Sequence, residues 1–300
     1  MDYIKQFTDI EEYNQYRNSL EFVEPSLGMI GEHGIVKFYP TNDMDQEYSD
    51  VWVEIARFTT TGTTTYTIDK KYTQLGFWIV GGGAGGHGDF NTAHWGGNGG
   101  NGGQAKAFET IYNSKSITVY VGDGGAGGSA NGAGNSGGDS YVMYNGNTYT
   151  SYGGIRYSGS NGGVNTKVEY SGIGGRPCGH GNPQTRYYKA SENDTYGVMG
   201  EDGLPNPFDQ NDETLYGAGG SAGFDSYDNW TTYGGTYPTG FAGGQTGGGN
   251  GGYGPNDNIL NTGFNGTSPG AGGGGGAFSS KHTYSQGGNG YQGIVIIYGK

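Results

Sequence analysis

What this chain has little of narrows its class. A single cysteine, Cys178, rules out an internal disulfide framework. A small secreted domain stapled by cystines is therefore excluded, and assembly in a reducing cytosol is the expectation. Lysine and arginine together number 15 against 28 acids, for a net charge of −13. Binding to nucleic acid depends on cations that neutralise phosphates, so no nucleic-acid partner is expected. No apolar run approaches the ~20 residues of a membrane span, and the opening Met1-Asp-Tyr-Ile-Lys lacks the basic start and apolar core of a secretion signal. No membrane partner is expected either. Proline, at 9 residues, is too scarce for collagen, whose Gly-X-Y repeat is also strict.

Glycine is what the chain has in excess, 68 of 300 residues. Gly28, Gly31 and Gly34 are the only ones before residue 58, which places a domain boundary near Arg57. Residues 1–57 form one segment and residues 58–300 a glycine-rich domain. The glycines cluster in pairs, as in Gly96-Gly-Asn-Gly-Gly-Asn-Gly-Gly103, directly after the apolar run Leu75–Val80. A polyproline-II-type helix has three residues per turn and no internal hydrogen bonds. In that geometry Asn98 and Asn101 share one edge, and the two bare edges let neighbouring backbones pair N–H with C=O. A bundle of polyglycine-II helices is the expectation. Its cost is conformational, about 0.5–1 kcal/mol per ordered glycine relative to alanine. A flexible Gly/Tyr-rich protein is the alternative, against which stand 26 tyrosines, 12 phenylalanines and 4 tryptophans.

Strand patterns begin at Val51. Val51, Val53 and Ile55 alternate with Trp52 and Glu54, Phe58–Ile68 is threonine-rich, and Leu75–Val80 is apolar throughout, as a central strand would be. Ala105–Tyr112 gives another strand. Ile117, Val119 and Val121 alternate cleanly with Thr118 and Tyr120. Asn145-Gly146 between Tyr141–Tyr144 and Asn147–Tyr152 predicts a hairpin, because a type I′ turn needs positive φ at both central positions. The chain closes on the apolar run Ile294–Tyr298. The fold class expected is all-β: a jelly-roll-like β-sandwich of about eight strands carrying the inserted bundle of polyglycine-II helices, preceded by a small α+β N-terminal segment.

In that first segment, Thr8-Asp-Ile-Glu11 matches a capping box and predicts a short helix to about Leu20. Gly34–Pro40 reads as a short strand ended by its proline. Residues 43–54, with Asp43, Asp45, Glu47, Asp50 and Glu54, read as a solvated connector. So little apolar surface does not make an independent core. Ile10, Tyr13, Tyr16, Leu20, Phe22, Val36, Phe38 and Tyr39 are therefore candidate anchor contacts, either to another protein or to the remainder of this chain.

Chemistry-bearing patterns are sparse. Gly81–Gly86 follows a strand as nucleotide-binding loops do, but no helix pattern follows it. His33, His87, His94, His180 and His282 are scattered, with no metal-ligand spacing. Asp123-Gly-Gly and Gly138-Asp139 resemble calcium-binding repeats without their nonapeptide period, and turn chemistry explains them. Cys178 and His180 are a nucleophile and a base by type, but two residues apart on one strand or loop they point differently, and Pro177 suggests a plain turn. No catalytic residue, metal or cofactor is assigned. Trp95, Tyr187, Tyr188, Trp230 and Tyr233 lie in polar, glycine-flanked segments. There they either stack on sugars or a protein surface or wedge between glycine helices as core.

The order of these pieces resembles a glycine-rich domain found in phage fibres and adhesins. The shared features are a threonine-rich strand (58–68), an apolar strand entering GGG (77–83), a strand ending in VGxGG (Val121-Gly-Asp-Gly-Gly125), a GGDS step (137–140) and a closing GGxGxxGIVII strand (287–297). A similar jelly-roll with polyglycine helices occurs in some receptor tyrosine kinase ectodomains, which usually carry more cysteine. Tyr3–Phe7, Phe22–Pro25 and Val36–Tyr39 resemble the start of virion proteins of crAss-like phages of gut Bacteroidales. Together the resemblances imply a structural virion protein, a head or tail fibre or capsid decoration, assembled in the host cytoplasm and exposed on the particle. They imply that residues 1–57 bind other virion proteins, that the chain forms a homo-oligomer with a trimer favoured, and that the head takes a host-surface glycan. The rival class is a glycan-degrading tail-spike enzyme, which would need a carboxylate pair across a cleft.

Overall fold

Apolar alternation in this chain resolves into two four-stranded antiparallel sheets. The computed structural model describes residues 29–30, 34–35, 51–88, 97, 99–156, 200, 202–223, 225–226, 247–252, 262–279 and 285–300. The chain divides into two compact units, Met1–Ser49 and Asp50–Lys300. In the first, β1 (Met29–Ile30) pairs antiparallel with β2 (Gly34–Ile35). The expected helix after Thr8 and the strand beyond Ile35 lie outside the described residues.

The second unit begins ahead of the composition break at Arg57. The reason is β3 (Val53–Phe58), which pairs with the closing strand and so ties residues 53–57 to the glycine-rich unit. The threonine-rich stretch expected as one strand is also divided. β3 ends at Phe58, and β4 (Gly62–Thr67) belongs to the other sheet. Gly62 makes the crossing with a φ of 103°, a conformation that side chains on L-residues oppose.

β5 (Gln74–Val80) is apolar on both faces and buried from Leu75 onward, because it lies between β6 (Ala105–Ile111) and β14 (Ile294–Gly299). That sheet runs β3-β14-β5-β6. The second runs β4-β7-β8-β9, with β7 Ser116–Val121, β8 Ser140–Tyr144 and β9 Asn147–Ser151. The β8–β9 hairpin turns at Asn145 (φ 48°) and Gly146 (φ 77°), the signs a type I′ turn demands.

One buried cluster draws on both sheets: Leu75, Phe77, Ile79, Val295 and Ile297 from the first, Ile117, Val119, Val121, Val142 and Tyr144 from the second. The Phe77 ring meets Tyr144 and Tyr149 edge-on, at centroid distances of 6.0 and 5.2 Å. Burial of Tyr144 leaves its hydroxyl in need of partners. It accepts from the Asn113 and Ser114 amides at 2.7 and 2.8 Å and donates to the Ser114 carbonyl at 3.1 Å.

The glycine segments leave the ends of these strands and pair with one another. Residues 81–88 continue β5 and donate to three neighbours in rotation. Gly81 and Ala84 donate to Gln104 and Asn101; Gly82, Gly85 and Gly88 to Gly138, Asn135 and Gly132; Gly83 and Gly86 to Tyr291 and Gly288. Their carbonyls serve further segments: Gly83 and Gly86 accept from Gly125 and Gly128, and Ala84 and His87 from Gly273 and Gly276. Residues 271–277 repeat the scheme, with Gly272 and Gly275 donating to Ala218 and Ser221. Every third residue thus turns its amide to the same neighbouring segment. The segments approach too closely for side chains: a Cβ at Gly83, Gly85 or Gly86 would overlap the carbonyl of Ala271, Ala126 or Gly274.

Four two-residue strands complete the elements. β10 (Leu204–Pro205) pairs antiparallel with β11 (Leu215–Tyr216), and β12 (Asp225–Ser226) parallel with β13 (Phe278–Ser279). The described part of the second unit is all-β.

Candidate functional site

Surface chemistry differs sharply between the outer faces of the two sheets. On β3-β14-β5-β6 the outer face is closed. Trp78, Ile294, Ile296 and Tyr298 project from it, and the segment around β10 and β11 covers them with Phe208 and Tyr216. Glycine at position 76 permits this, since a Cβ there would press within 2.8 Å of the Phe208 ring. Phe208 meets Trp52 edge-on at 4.9 Å and stacks on Tyr298 at 5.2 Å. Asn206 Nδ2 donates to the Tyr298 hydroxyl at 2.7 Å. Burial pushes the Tyr298 phenol up to about 12.

At the margin of this cover, Arg57 forks onto Glu54 at 2.8 and 3.0 Å and reaches Asp212 at 4.0 Å, while the Tyr216 hydroxyl donates to Asp212 at 2.5 Å. Burial and that carboxylate together raise the Tyr216 phenol. Burial works to raise the Asp212 carboxyl too. Hydrogen bonds from Tyr216 and Thr214 and the charge of Arg57 outweigh it and hold the group below the usual carboxylate range. A lowered folded value stabilises the protein above the ordinary carboxyl pKa of about 4, and that stabilisation is lost as pH falls through the lowered value. Acidification from about pH 5 to pH 2 is therefore expected to lower the thermal midpoint of the wild type more than that of Asp212→Asn. Parallel pH titrations of the two midpoints check this. These groups latch the cover in place and leave no free nucleophile or base.

Among the described residues none covers the outer face of β4-β7-β8-β9. Thr63, Thr65 and Thr67 on β4, Thr118 and Tyr120 on β7, Tyr141 and Met143 on β8, and Thr148 and Thr150 on β9 alternate with the residues that fill the core. None of the four strands contains a charged residue. Tyr120 and Tyr141 face each other across β7 and β8, with rings 5.0 Å apart and 9° from parallel. Met143 is 49% exposed beside them. This is a surface of hydroxyls around a tyrosine pair, able to meet sugar hydroxyls or another uncharged sheet. The period of two in 117–121 already placed Thr118 and Tyr120 opposite the core. Their pairing with Tyr141 had no signal, because register is set by tertiary contacts.

The glycine array offers a different kind of end. Gly88 pairs with Gly132, Gly97 with Gly276, Gly252 with Gly275 and Gly263 with Gln286, all at the end remote from the strands. The loop aromatics Trp95, Tyr187, Tyr188, Trp230 and Tyr233 lie outside the described residues. So do the anchor candidates Ile10, Tyr13, Tyr16, Leu20, Phe22, Val36, Phe38 and Tyr39, together with Cys178 and His180.

The weaker patterns find structural employment. Every amide from Gly81 to Gly86 donates within the array, so none is left to cradle a phosphate. Asp139 accepts the Gly153 amide at 2.9 Å, a bond to a segment 14 residues away rather than within a local turn. Among the described residues no three His, Cys, Asp or Glu side chains converge as metal ligands would. His87 is buried in the array with Nδ1 2.6 Å from the Gly88 carbonyl, and burial lowers its pKa.

A comparison with curated proteins finds no match. The model of one family, described as a glycine-rich domain, matches residues 59–300. That span takes in the β4-to-β14 succession and every glycine segment described above, and on it the chain belongs to the glycine-rich domain family.

Proposed function

We propose that the protein is a structural component of a phage virion, a fibre or capsid decoration whose glycine-rich unit projects outward and contacts host-surface glycan. In this reading the two sheets form a jelly-roll-like sandwich and the glycine segments are polyglycine-II helices. The observation that carries it is the three-fold rotation of hydrogen bonds along residues 81–88 and 271–277. Such an array turns the most flexible residue into a rigid spacer whose peptide groups are spent on one another. Residues 1–57 join other virion proteins. The open threonine and tyrosine face and the loop aromatics, Trp95 among them, supply the chemistry for sugar.

The test compares particles made with the full chain and with a chain lacking residues 1–49. Asp50–Lys300 is a compact unit with its own core, so the shortened protein is expected to melt cooperatively and to be absent from purified particles. Its presence at normal copy number sinks the attachment role. Steady release of oligosaccharide from host capsule by the full-length protein sinks the structural role and makes it a depolymerase.

A further inference from the structure

Edge strands present unpaired N–H and C=O groups, and native sheets guard them with charge, proline or bulges. On the β3-β14-β5-β6 sheet both edges are guarded. β3 carries Glu54 and Arg57 and meets β14 with a register shift at Ile297/Tyr298, and β6 carries Lys106 and Glu109. On the other sheet β4 has no such guard. Its sequence is Gly-Thr-Thr-Thr-Tyr-Thr, without charge or proline, and its register with β7 is unbroken.

The ladder shows which groups have no partner among the described residues. Ile68 N donates to Lys115 O at 2.9 Å, and bonded pairs alternate along an antiparallel ladder. Tyr66, Thr64 and Gly62 are then the residues that bond to β7. Thr63, Thr65 and Thr67 turn their N–H and C=O groups outward, and all three are exposed. On β9 the corresponding run is shorter, because the Tyr152 carbonyl already accepts from the Gln104 amide at 2.9 Å and the Tyr152 amide donates to Gln104 Oε1 at 3.3 Å.

We propose that β4 is the seam of a two-fold dimer, pairing antiparallel with β4 of a second copy about Thr65. That axis sets Thr65 against the partner's Thr65, and Thr63 against the partner's Thr67. Every outward N–H and C=O at these positions then meets its counterpart, a self-complementarity that an isologous interface requires. Threonine opposite threonine is a favourable cross-strand pair. Charge selects the same occupant. Two copies that each carry −13 repel over most of their surfaces, and an uncharged sheet is where they can meet. A basic partner has no acid to meet here. The result is one eight-stranded sheet whose outer face carries no charged residue.

Sedimentation velocity of the full-length protein at tens of micromolar tests the seam. The expected species has twice the 31.4 kDa chain mass. Thr65→Lys places like charges across the axis and is expected to weaken the dimer at least tenfold without changing the near-UV circular dichroism. Thr63→Lys is expected to do the same, and adding Thr67→Glu to it restores the dimer, since each lysine then faces the partner's glutamate. A wild type that sediments as a monomer or a trimer overturns the proposal. So does a double variant that is no more dimeric than Thr63→Lys alone, which also decides the matter if Thr65→Lys fails to fold.

Discussion

Gly100→Val is expected to lower the thermal midpoint of the glycine-rich unit by about 6–12 °C, or to prevent its folding. A Cβ at Gly100 would overlap the Ala84 carbonyl, and one at Gly99 the Gly220 carbonyl. Both obstacles are backbone atoms, which cannot rotate aside as a side-chain tip can. Overpacking of an ordinary core costs about 1–3 kcal/mol, and the upper end applies where backbone meets backbone. For a unit of this size each kcal/mol moves the midpoint by about 2–4 °C. Gly99→Val should behave alike. Asn101→Ala is the milder change: it removes the bond that Nδ2 makes to the Ile155 carbonyl at 2.8 Å but creates no overlap. Asn135→Ala, at an exposed position of the array, should melt with the wild type. Scanning calorimetry of the set separates a packed array from a flexible glycine tract, for which all the variants would coincide.

Phe77→Ala carries the other large effect. The ring is fully buried between the two sheets, against Tyr144 and Tyr149. Its removal leaves a cavity that rigid β-strands cannot collapse around, and such truncations cost about 3–5 kcal/mol. At the same ~2–4 °C per kcal/mol the midpoint should fall by about 6–20 °C. Phe77→Leu, which keeps most of the volume, should fall by much less. A Phe77→Ala protein that melts within ~2 °C of wild type would show that the two sheets do not share this core.

The contrast between these variants also marks what could be read before the structure. Local signals were explicit. The run Leu75–Val80 announced a strand buried on both faces, and Asn145-Gly146 fixed a hairpin turn that the φ angles reproduce. Glycine pairs announced close approach, because no other residue leaves an edge bare. What local signals could not give was the partner of each edge. The Arg57–Asp212 contact spans 155 positions in the chain, and nothing near either residue encodes the other. For the same reason the cover of Phe208 over Trp52 and Tyr298 was illegible, as was the switch of sheet at Gly62 that divides the threonine-rich stretch. The open face was half legible: the alternation in β7 placed Tyr120 outside, but only the β7–β8 register set it against Tyr141.

The place of β14 bears on how the molecule is made. β3 and β5 do not touch as neighbours; Ile294–Gly299 runs between them and bonds to both. During synthesis β5 therefore waits more than 200 residues for its inner neighbour with one edge bare, while β3, which pairs only with β14, waits longer with both edges bare. Closing so long a loop is entropically slow, and unpaired apolar strands are prone to aggregate in the interval. At a ribosomal pace of about 5–20 residues per second the wait is on the order of 10–40 s. Over that time a nascent chain holding Leu75–Val80 with its β14 edge unpaired is a substrate for chaperones, and faster translation should raise the yield of soluble protein.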